Sequence, residues 1–178
     1  MGTDWPVRDA TPADAAGCAE VYAPYVRDTA ISFETEPPSA AQVAERIGAA
    51  LATHAWVVLE DAGRVVGYAY GGPFMARPAY RWSTSVSVYT EPGRRRPGAG
   101  RALYTALFDR LTARGFRMAF AGIALPNPAS EALHRALGFE PVGTYRRVGW
   151  KHGRWHDVAW CQRPLGDPGD DGSPAPPR

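Results

Sequence analysis

The order of strand and helix patterns along residues 7–165 limits the folds open to this chain more than any other feature. Short runs rich in β-branched residues predict strands, while apolar residues three or four positions apart predict helices. In chain order the patterns are strand, helix, helix, three strands, helix, strand, helix and two strands, with hairpin turns at 61–63 and 152–153. This order predicts one α/β (α+β) domain in which helices cover both faces of a mixed central sheet.

Capping signals predict where the helices begin. Thr11 and Asn127 each precede a proline, so each is expected to cap a helix that starts with that proline. Ser39 is followed three residues later by Gln42, which is the spacing of a capping box. We expect helices over residues 15–26, from the capping box to about 54, from the glycines at 98–100 to 115, and from the Asn127 cap to 137.

Composition limits the classes of function. Hydrophobic residues make up 45% of the 178 residues, which is enough for a single core, and the formal net charge of +2 excludes a strongly basic nucleic-acid binder. The start of the chain lacks the apolar segment of a signal peptide, and no run approaches the ~20 apolar residues of a membrane span. Cys18 and Cys161 are too few and too far apart for a disulfide framework or a metal site. We expect a soluble cytoplasmic protein with no nucleic-acid or membrane partner.

The last residues differ in composition from the rest. Residues 166–178, GDPGDDGSPAPPR, contain almost no apolar side chains. Such a segment cannot offset the conformational entropy that it would lose on ordering. We therefore expect one domain over residues 1–165 and a disordered tail from Gly166.

The segment TEPGRRRPGAGRALYTAL, residues 90–107, joins an alternating strand to a helix through arginines and glycines. Free N–H groups in the first turn of a helix, together with the positive end of its dipole, favour an anion at such a junction. Gly98 and Gly100 would let a phosphate approach the backbone, and positive charge would come from Arg95, Arg96 and Arg101. The alternative is a glycine-rich turn with solvated arginines, and the glycines by themselves favour that alternative.

Two common phosphate motifs do not fit this segment. A Walker loop ends in Gly-Lys followed by Ser or Thr, but at that spacing from Gly93 the chain has Gly98 and Ala99. A dinucleotide fingerprint needs a third glycine and an early strand of a βαβ unit, and neither is present. The segment is therefore of another type.

The spacing Arg95-x-x-Gly98-x-Gly100 resembles the pyrophosphate-binding motif of the GCN5-related N-acetyltransferases (GNAT). Downstream, NPASEALHRALGF at residues 127–139 is similar to the second signature of that family. The resemblance implies an acyl-CoA N-acyltransferase fold with two splayed strands and acetyl-CoA as co-substrate. It implies cofactor binding by Val88, Tyr89, Thr90, Arg95, Arg96, Pro97, Gly98, Ala99, Gly100, Arg101 and Asn127.

Further strings resemble the phosphinothricin and methionine sulfoximine acetyltransferases within that family: FETEP at 33–37, GGPFMARPAYRW at 71–82 and KHGRWHDV at 151–158. The likeness covers residues 5–165. It implies a homodimer that transfers an acetyl group to the α-amine of a small acidic amino acid or analogue, by direct attack on the thioester. The implied substrate contacts are Phe33, Met75, Arg77 and Tyr80. The alternative for Phe33 and Tyr80 is ordinary aromatic packing, and the alternative for Arg77 is a solvated arginine in a loop.

Acetyl transfer needs a neutral amine, donors for the charge that develops on the thioester oxygen, and an acid for the departing thiolate. By resemblance, the oxyanion donor is a backbone group of a bulged strand at residues 88–90. His134 stands where most of the superfamily has a tyrosine acid, and a pKa near neutrality suits it to donate or accept a proton. The alternative is a histidine exposed on the helix surface.

The chain departs from this branch at two positions. Ser85 replaces a glutamate that is often assigned as the base, and Met75 replaces a lysine near the substrate. An α-amine with a pKa of ~8 is neutral about one time in ten at pH 7, so transfer can proceed with a water relay or with His134 as base. The alternatives are a GNAT enzyme for a different small amine, a weakly catalytic or non-catalytic acetyl-CoA binder, and a nucleic-acid binder that uses residues 94–96.

The KHGRWHDV string also admits a metal site, since two histidines four residues apart can share a helix face. Gly153 and its β-rich flanks place His152 on the other side of a turn from His156 and Asp157, so we expect no metal. The string overlaps a set of regularly spaced tryptophans that are expected to pack the sheet or a dimer contact: Trp150, Trp155 and Trp160.

Overall fold

The computed structural model describes residues 5–93, 96–167 and 175–178, and these residues form one seven-stranded sheet. The strands are β1 Val7–Asp9, β2 Trp56–Asp61, β3 Arg64–Pro73, β4 Ser83–Thr90, β5 Met118–Ala124, β6 Glu140–Lys151 and β7 Arg154–Pro164. Their spatial order is β1, β2, β3, β4, β5, β7, β6. The β4–β5 pair is parallel and the other described pairs are antiparallel, which confirms the predicted mixed sheet.

The helices of the described chain are α1 Ala15–Asp28, α2 Ala40–Thr53, α3 Ala99–Arg114 and α4 Pro128–Ala136. The predicted capping box opens α2: the Ser39 hydroxyl accepts from Gln42 N–H at 3.2 Å, and Gln42 Oε1 accepts from Ser39 N–H at 2.8 Å. Asn127 caps α4, because its side-chain oxygen accepts from Ser130 N–H at 3.2 Å. These local sequence signals are therefore confirmed.

The first helix differs from the sequence prediction in two respects. Thr11 caps a short 3₁₀ turn, Pro12–Asp14, and α1 follows this turn. The turn is tight because the Asp14 carboxylate accepts from the backbone N–H of Thr11 and from the Arg8 guanidinium, both at 2.8 Å. At its other end α1 continues past the predicted Val26 to Asp28.

Helices pack against both faces of the sheet. On one face lies α3, whose Leu103, Leu107 and Leu111 are fully buried, as their four-residue spacing predicts. On the other face lie α1 and α2, the latter burying Val43 and Ile47. The central strands are therefore fixed from both sides, and they give a rigid base to any site at their ends.

The parallel pair β4–β5 separates soon after it forms. Ser83–Ser85 pair with Met118–Phe120, and beyond this point residues 86–90 and 121–124 diverge, as the resemblance predicts. The prediction of a bulge in β4 is wrong, because β4 pairs with β3 without any shift of register. The space between the strands opens because β5 leaves β4 and stays paired with β7 along its length.

The strands β6 and β7 form a long hairpin at one edge of the sheet. His152 and Gly153 make its turn with φ of +50° and +72°, as the sequence predicts. The hairpin exposes large apolar side chains at Val142, Tyr145, Val148, Trp150 and Trp155. Trp160 differs from these, because its ring lies over Gly122 of β5 and packs the sheet.

The last described residues lie against the domain. Trp82 Nε1 donates to Ala175 O at 2.9 Å, and Arg178 N–H donates to Arg114 O at 2.9 Å. Residues 168–174 of the predicted tail are outside the described residues. Across the described ranges, no helix is long and apolar enough to cross a membrane, and no three His, Cys, Asp or Glu side chains group as metal ligands.

Candidate active site

The diverging ends of β4 and β5 enclose a cleft of about 460 Å³. Its lining includes the first turn of α3 and Ile31, which lies in the loop between α1 and α2. The cleft brings together many of the predicted site residues: Val88, Tyr89, Thr90, Arg96, Gly98, Gly100, Arg101, Asn127 and His134.

The glycines form the mouth of the cleft. Gly98 has a φ of +84°, and a Cβ placed there would have its nearest neighbour, Trp5 Nε1, 3.8 Å away. Ala99 N–H, the first of α3, donates to Arg96 O at 3.1 Å, whereas the N–H groups of Gly100 and Arg101 come too early in the helix to have a helical carbonyl as partner. The mouth therefore offers backbone donors and a helix dipole to an anion.

Arg96 holds the loop in place. Its guanidinium is only 8% exposed and pairs with Asp61 Oδ2 at 2.5 Å and with Glu91 Oε2 at 3.0 Å. These two carboxylates raise the pKa of Arg96 and balance most of its charge. Arg95, which the resemblance places beside a phosphate, lies outside the described residues.

The other loop residues have distinct positions. Pro97 O accepts from Trp5 Nε1 at 3.0 Å, which fastens the loop to the start of the described chain. Ala99 is buried beneath the loop. Arg101 lines the cleft, and its guanidinium donates to Ala136 O at 3.3 Å. Of these three predicted residues, Arg101 is the one that lines the cleft.

The backbone of β4 offers polar groups to the cleft. Glu91 N–H donates to Val66 O at 2.8 Å, which sets the phase of the antiparallel ladder between β3 and β4. Because paired and unpaired residues alternate along such a ladder, Tyr89 also bonds β3, whereas Val88 and Thr90 direct their backbone groups to the other side. That side is the cleft, because the described pairing of β4 with β5 ends at Ser85, so the N–H and C=O of Val88 are directed into the cleft.

His134 lies at the wall of the cleft in α4, and its side chain is buried. Its Nδ1 lies 2.8 Å from Ser130 O; since a carbonyl can only accept, Nδ1 carries a proton and donates it. The other nitrogen, Nε2, is therefore free to accept from the Tyr104 hydroxyl, 3.1 Å away. Burial lowers the pKa of His134, so the imidazole is neutral at pH 7. The exposed-surface alternative for His134 is wrong.

Ser85 lies in β4 just before the strands separate. It is paired in register with Gly72 of β3 and with Phe120 of β5, and its side chain is half-buried. Ser87, two residues later and on the same face of the strand, lines the cleft. Position 85 is thus adjacent to the cleft, with a hydroxyl where a carboxylate would be expected.

The four predicted substrate residues are not brought into one place. Met75 and Tyr80 line a second cavity, of about 610 Å³, together with residues 176–178. Arg77 is exposed at the start of a short 3₁₀ turn. Phe33 packs on the β6–β7 hairpin and is 39% exposed, so its aromatic-packing alternative describes its position in this structure.

Phe74 connects that second region to the sheet. Its ring stacks on Phe120 at 3.9 Å between centroids and meets Tyr80 and Trp160 edge-on at 5.9 and 6.2 Å. Trp160 in turn covers Gly122, which lines the cleft. An aromatic wall therefore extends from the cleft toward Tyr80 on the face of the sheet that α1 and α2 share.

Sequence reasoning missed several residues of this region. Tyr104 and Phe74 carry only the signal of aromatic residues in a helix and in a loop, which is usually read as packing. Tyr25, whose hydroxyl donates to Thr90 O at 2.7 Å, has the same ambiguity. Lys151 gives no sign of burial in the sequence, because a lysine beside a hairpin turn is normally exposed.

Comparison with known proteins decides the family. Residues 7–160 match the family described as Acetyltransferase (GNAT) domain. The chain belongs to the GNAT acetyltransferases. The predictions of this family, of its fold and of an N-acetyltransferase activity are confirmed.

Individual relatives of this GNAT acetyltransferase extend over nearly its whole length. A phosphinothricin N-acetyltransferase of Streptomyces viridochromogenes is 40% identical over 172 residues, covering 97% of this chain and 91% of the relative. An L-methionine sulfoximine/L-methionine sulfone acetyltransferase of Pseudomonas paraeruginosa is 38% identical, covering 88% and 92%. The crystal structure of a phosphinothricin acetyltransferase from Sinorhizobium meliloti in complex with AcCoA superposes with a TM-score of 0.91 at 42% identity, covering 97% and 94%.

Proposed function

We propose that this enzyme transfers the acetyl group of acetyl-CoA to the α-amine of a small acidic amino acid or analogue of the phosphinothricin or methionine sulfoximine type. The single observation that carries the proposal is the cleft between β4 and β5, with a helix N-terminus at its mouth and a histidine in its wall. The names of the relatives and the AcCoA bound in the Sinorhizobium protein support it.

The residues of the cleft fit a CoA group. The open space at Gly98 and the first-turn N–H groups of α3 suit its diphosphate, and the free backbone groups of Val88 suit its amide-bearing arm. Arg101, which carries positive charge, and Asn127 also line the cleft. We propose these residues as the cofactor site, with Arg96 holding the loop.

The chemistry follows from the thioester, which supplies an activated acetyl group. The amine nitrogen forms a bond to the carbonyl carbon, the carbon–sulfur bond breaks, and the proton lost by nitrogen ends on the sulfur. Negative charge develops on the carbonyl oxygen during this exchange, and the N–H of Val88 is placed to stabilise it. The proposed oxyanion donor therefore lies in a regular strand, β4, and not in a bulge; its N–H is available because β5 separates from β4 before Val88.

We assign the proton transfer to His134 and Tyr104. As the amine loses its proton to the Tyr104 oxygen, Tyr104 passes its own proton to Nε2 of His134; the reverse transfer then protonates the sulfur. The geometry supports this route, because Tyr104 lines the cleft and its hydroxyl lies 3.1 Å from Nε2. A neutral imidazole is required to accept the proton, and burial favours that form.

The acceptor is tested by following thiol release from acetyl-CoA with phosphinothricin, methionine sulfoximine and a panel of proteinogenic amino acids. We expect turnover of at least one of the two named analogues. Turnover of a different amine with neither analogue active would move the assignment to another GNAT substrate, and binding of acetyl-CoA with no turnover would indicate a sensor.

Ser85→Glu should raise kcat/KM for the amine by up to about tenfold at pH 7. About nine-tenths of an amine with a pKa of ~8 is protonated at this pH, and a carboxylate could remove that proton in the active site. The gain should vanish at pH 9, where the amine is already mostly neutral. Ser83→Glu, on the same face of β4 but beside the second cavity, is the control and should give no gain. An equal rate for Ser85→Glu and wild type at pH 7 would show that no carboxylate is missing.

We further propose that the enzyme is a homodimer that pairs through the β6–β7 hairpin. The edge strand β6 is exposed along almost its whole length and carries exposed Val142, Tyr145 and Val148. A long apolar edge of this kind is normally covered in solution.

Light scattering after size exclusion should therefore give about twice the chain mass of 19.3 kDa. Tyr145→Lys should shift the protein to the monomer mass, because a charge at the edge opposes pairing. A monomeric wild type, or a dimer unchanged by Tyr145→Lys, would rule out this interface.

Both cysteines, Cys18 and Cys161, are free and buried in the structure. Unpaired thiols are typical of proteins in reducing compartments. We therefore propose a cytoplasmic location.

A further inference from the structure

A buried lysine joins the tip of the β6–β7 hairpin to the loop between α1 and α2. Lys151, at the end of β6, is 7% exposed, and its ammonium donates to Val26 O at 2.6 Å and to Ser32 O at 2.7 Å. The first carbonyl belongs to the last turns of α1 and the second to the loop. The Lys151 ammonium therefore bridges the two ends of the segment from Val26 to Ser32.

The hairpin makes further contacts with the same loop. Nε2 of His152 donates to Thr29 O at 3.2 Å. The ring of Phe33 lies so close to Gly149 that a Cβ at Gly149 would come within 2.2 Å of it. The hairpin therefore holds the first part of the loop, at Thr29, Ser32 and Phe33.

The position of Lys151 is itself fixed. Buried His156 donates from Nε2 to Lys151 O at 2.9 Å, which secures the strand end that carries the ammonium. Burial lowers the pKa of Lys151, while the nearby Glu34 carboxylate acts in the opposite direction. Burying an ammonium without hydrogen-bond partners is unfavourable in free energy. Here two carbonyls accept hydrogen bonds from it.

The inner side of the loop is attached to the helices. Ser32 Oγ lies 2.6 Å from the Tyr22 hydroxyl, and Tyr22 donates to Glu34 Oε1 at 3.0 Å. Arg46 of α2 pairs with the same carboxylate at 2.7 Å. Between these two sets of anchors, Ile31 is one of the described residues that line the cleft.

We propose that Lys151 is a positioning residue for the acceptor: by holding the carbonyls of Val26 and Ser32, it sets the position of Ile31 in the cleft lining, where the amine would bind. The inference rests on the proposed function, because that function assigns the glycines to acetyl-CoA and leaves the part of the cleft lined by Ile31 for the amine. Lys151 acts through the loop and contacts neither reactant.

The test replaces the ammonium with an apolar side chain of similar length. Lys151→Met should raise the KM for the amine about tenfold, with the KM for acetyl-CoA within about twofold of wild type, because the loop that carries Ile31 is disturbed and the glycine loop is not. Phosphinothricin, or the best acceptor of the panel, serves as the probe. Arg154→Met, at the exposed cross-strand neighbour of Lys151, is the matched control and should change neither constant.

Hydrogen exchange gives a readout that does not depend on turnover. The amides of Ile31 and Glu34 bond to Thr29 Oγ1 and Ser32 Oγ within the loop. In Lys151→Met these amides should exchange faster, while those of α3 should be unchanged. A wild type that acetylates no amine would defeat the proposed function, whereas unchanged loop exchange in Lys151→Met would defeat the present inference.

A second variant covers the case in which Lys151→Met does not fold. Gly149→Ala leaves the ammonium in place but displaces Phe33 from the hairpin, and it should also raise the KM for the amine. If both variants fold and the KM for the amine stays at the wild-type value, the hairpin does not position the acceptor.

Discussion

Gly98→Val should weaken the binding of acetyl-CoA by about 100-fold or more, a loss of roughly 2.7 kcal/mol or more. A valine cannot adopt the φ of +84° without strain, and its side chain would project into the open space at the cleft mouth. Both effects move the backbone donors of the loop away from an anion. Titration calorimetry with acetyl-CoA measures the loss directly.

Gly93→Val is the matched control for this experiment. Gly93 has nearly the same φ, +80°, has no atom near the position of a Cβ, and is not among the described residues that line the cleft. It should therefore bear a similar backbone strain and still bind acetyl-CoA within a few-fold of wild type. Equal losses in the two variants would show that general loop strain causes the effect, and normal binding by Gly98→Val would place the cofactor elsewhere.

His134→Gln should lower kcat by about 10²- to 10³-fold with little change in the affinity for acetyl-CoA, because it removes the group that moves the proton. Arg135→Gln, at the next and exposed position of α4, should keep the wild-type rate. Steady-state kinetics with both substrates varied separates kcat from the two KM values. A rate for His134→Gln within a few-fold of wild type would eliminate the assigned proton route.

Tyr104→Phe completes a double-mutant cycle with His134→Gln. If the two side chains act in sequence on one proton, the double variant should be no slower than His134→Gln alone. Independent roles would instead multiply the two losses. The cycle thus tests the pair and not merely the presence of two important residues.

The pH dependence of kcat provides an additional test of the same pair. Burial lowers the pKa of His134 from its usual value of 6.5, so the active neutral form is present above 6.5 and is lost as the pH falls through the lower pKa of the folded protein. The wild type should therefore show an acidic limb with a midpoint below 6.5. His134→Gln should lose this limb, since no imidazole remains to be protonated.

Residues 71–82 contact the rest of the molecule in a way that their sequence does not predict. The string at 71–82 predicts substrate contacts at Met75, Arg77 and Tyr80, but its clear link to the cleft is Phe74, through Phe120 and Trp160. A phenylalanine in a loop carries no signal of that link. The partner strands that receive its ring come from far along the chain and are brought to it by the sheet.

The sequence by itself determined the local features of this protein. The cap residues Ser39 and Asn127, the turn at His152 and the glycine at the start of α3 act on atoms within a few residues of themselves. Backbone geometry and unpaired N–H groups at helix ends therefore suffice to predict them. The resemblance to the GNAT family added the cofactor and the splayed strands, which local rules do not contain.

Only the tertiary structure decided which distant groups meet. Tyr104 and His134 are 30 residues apart and share a hydrogen bond, and Lys151 reaches a carbonyl 125 residues away. The departure of β5 from an unbulged β4 likewise depends on its pairing with β7, far along the chain. Such contacts depend on how whole elements pack, and a side chain's type does not reveal its partner until the sheet and helices have fixed their relative positions.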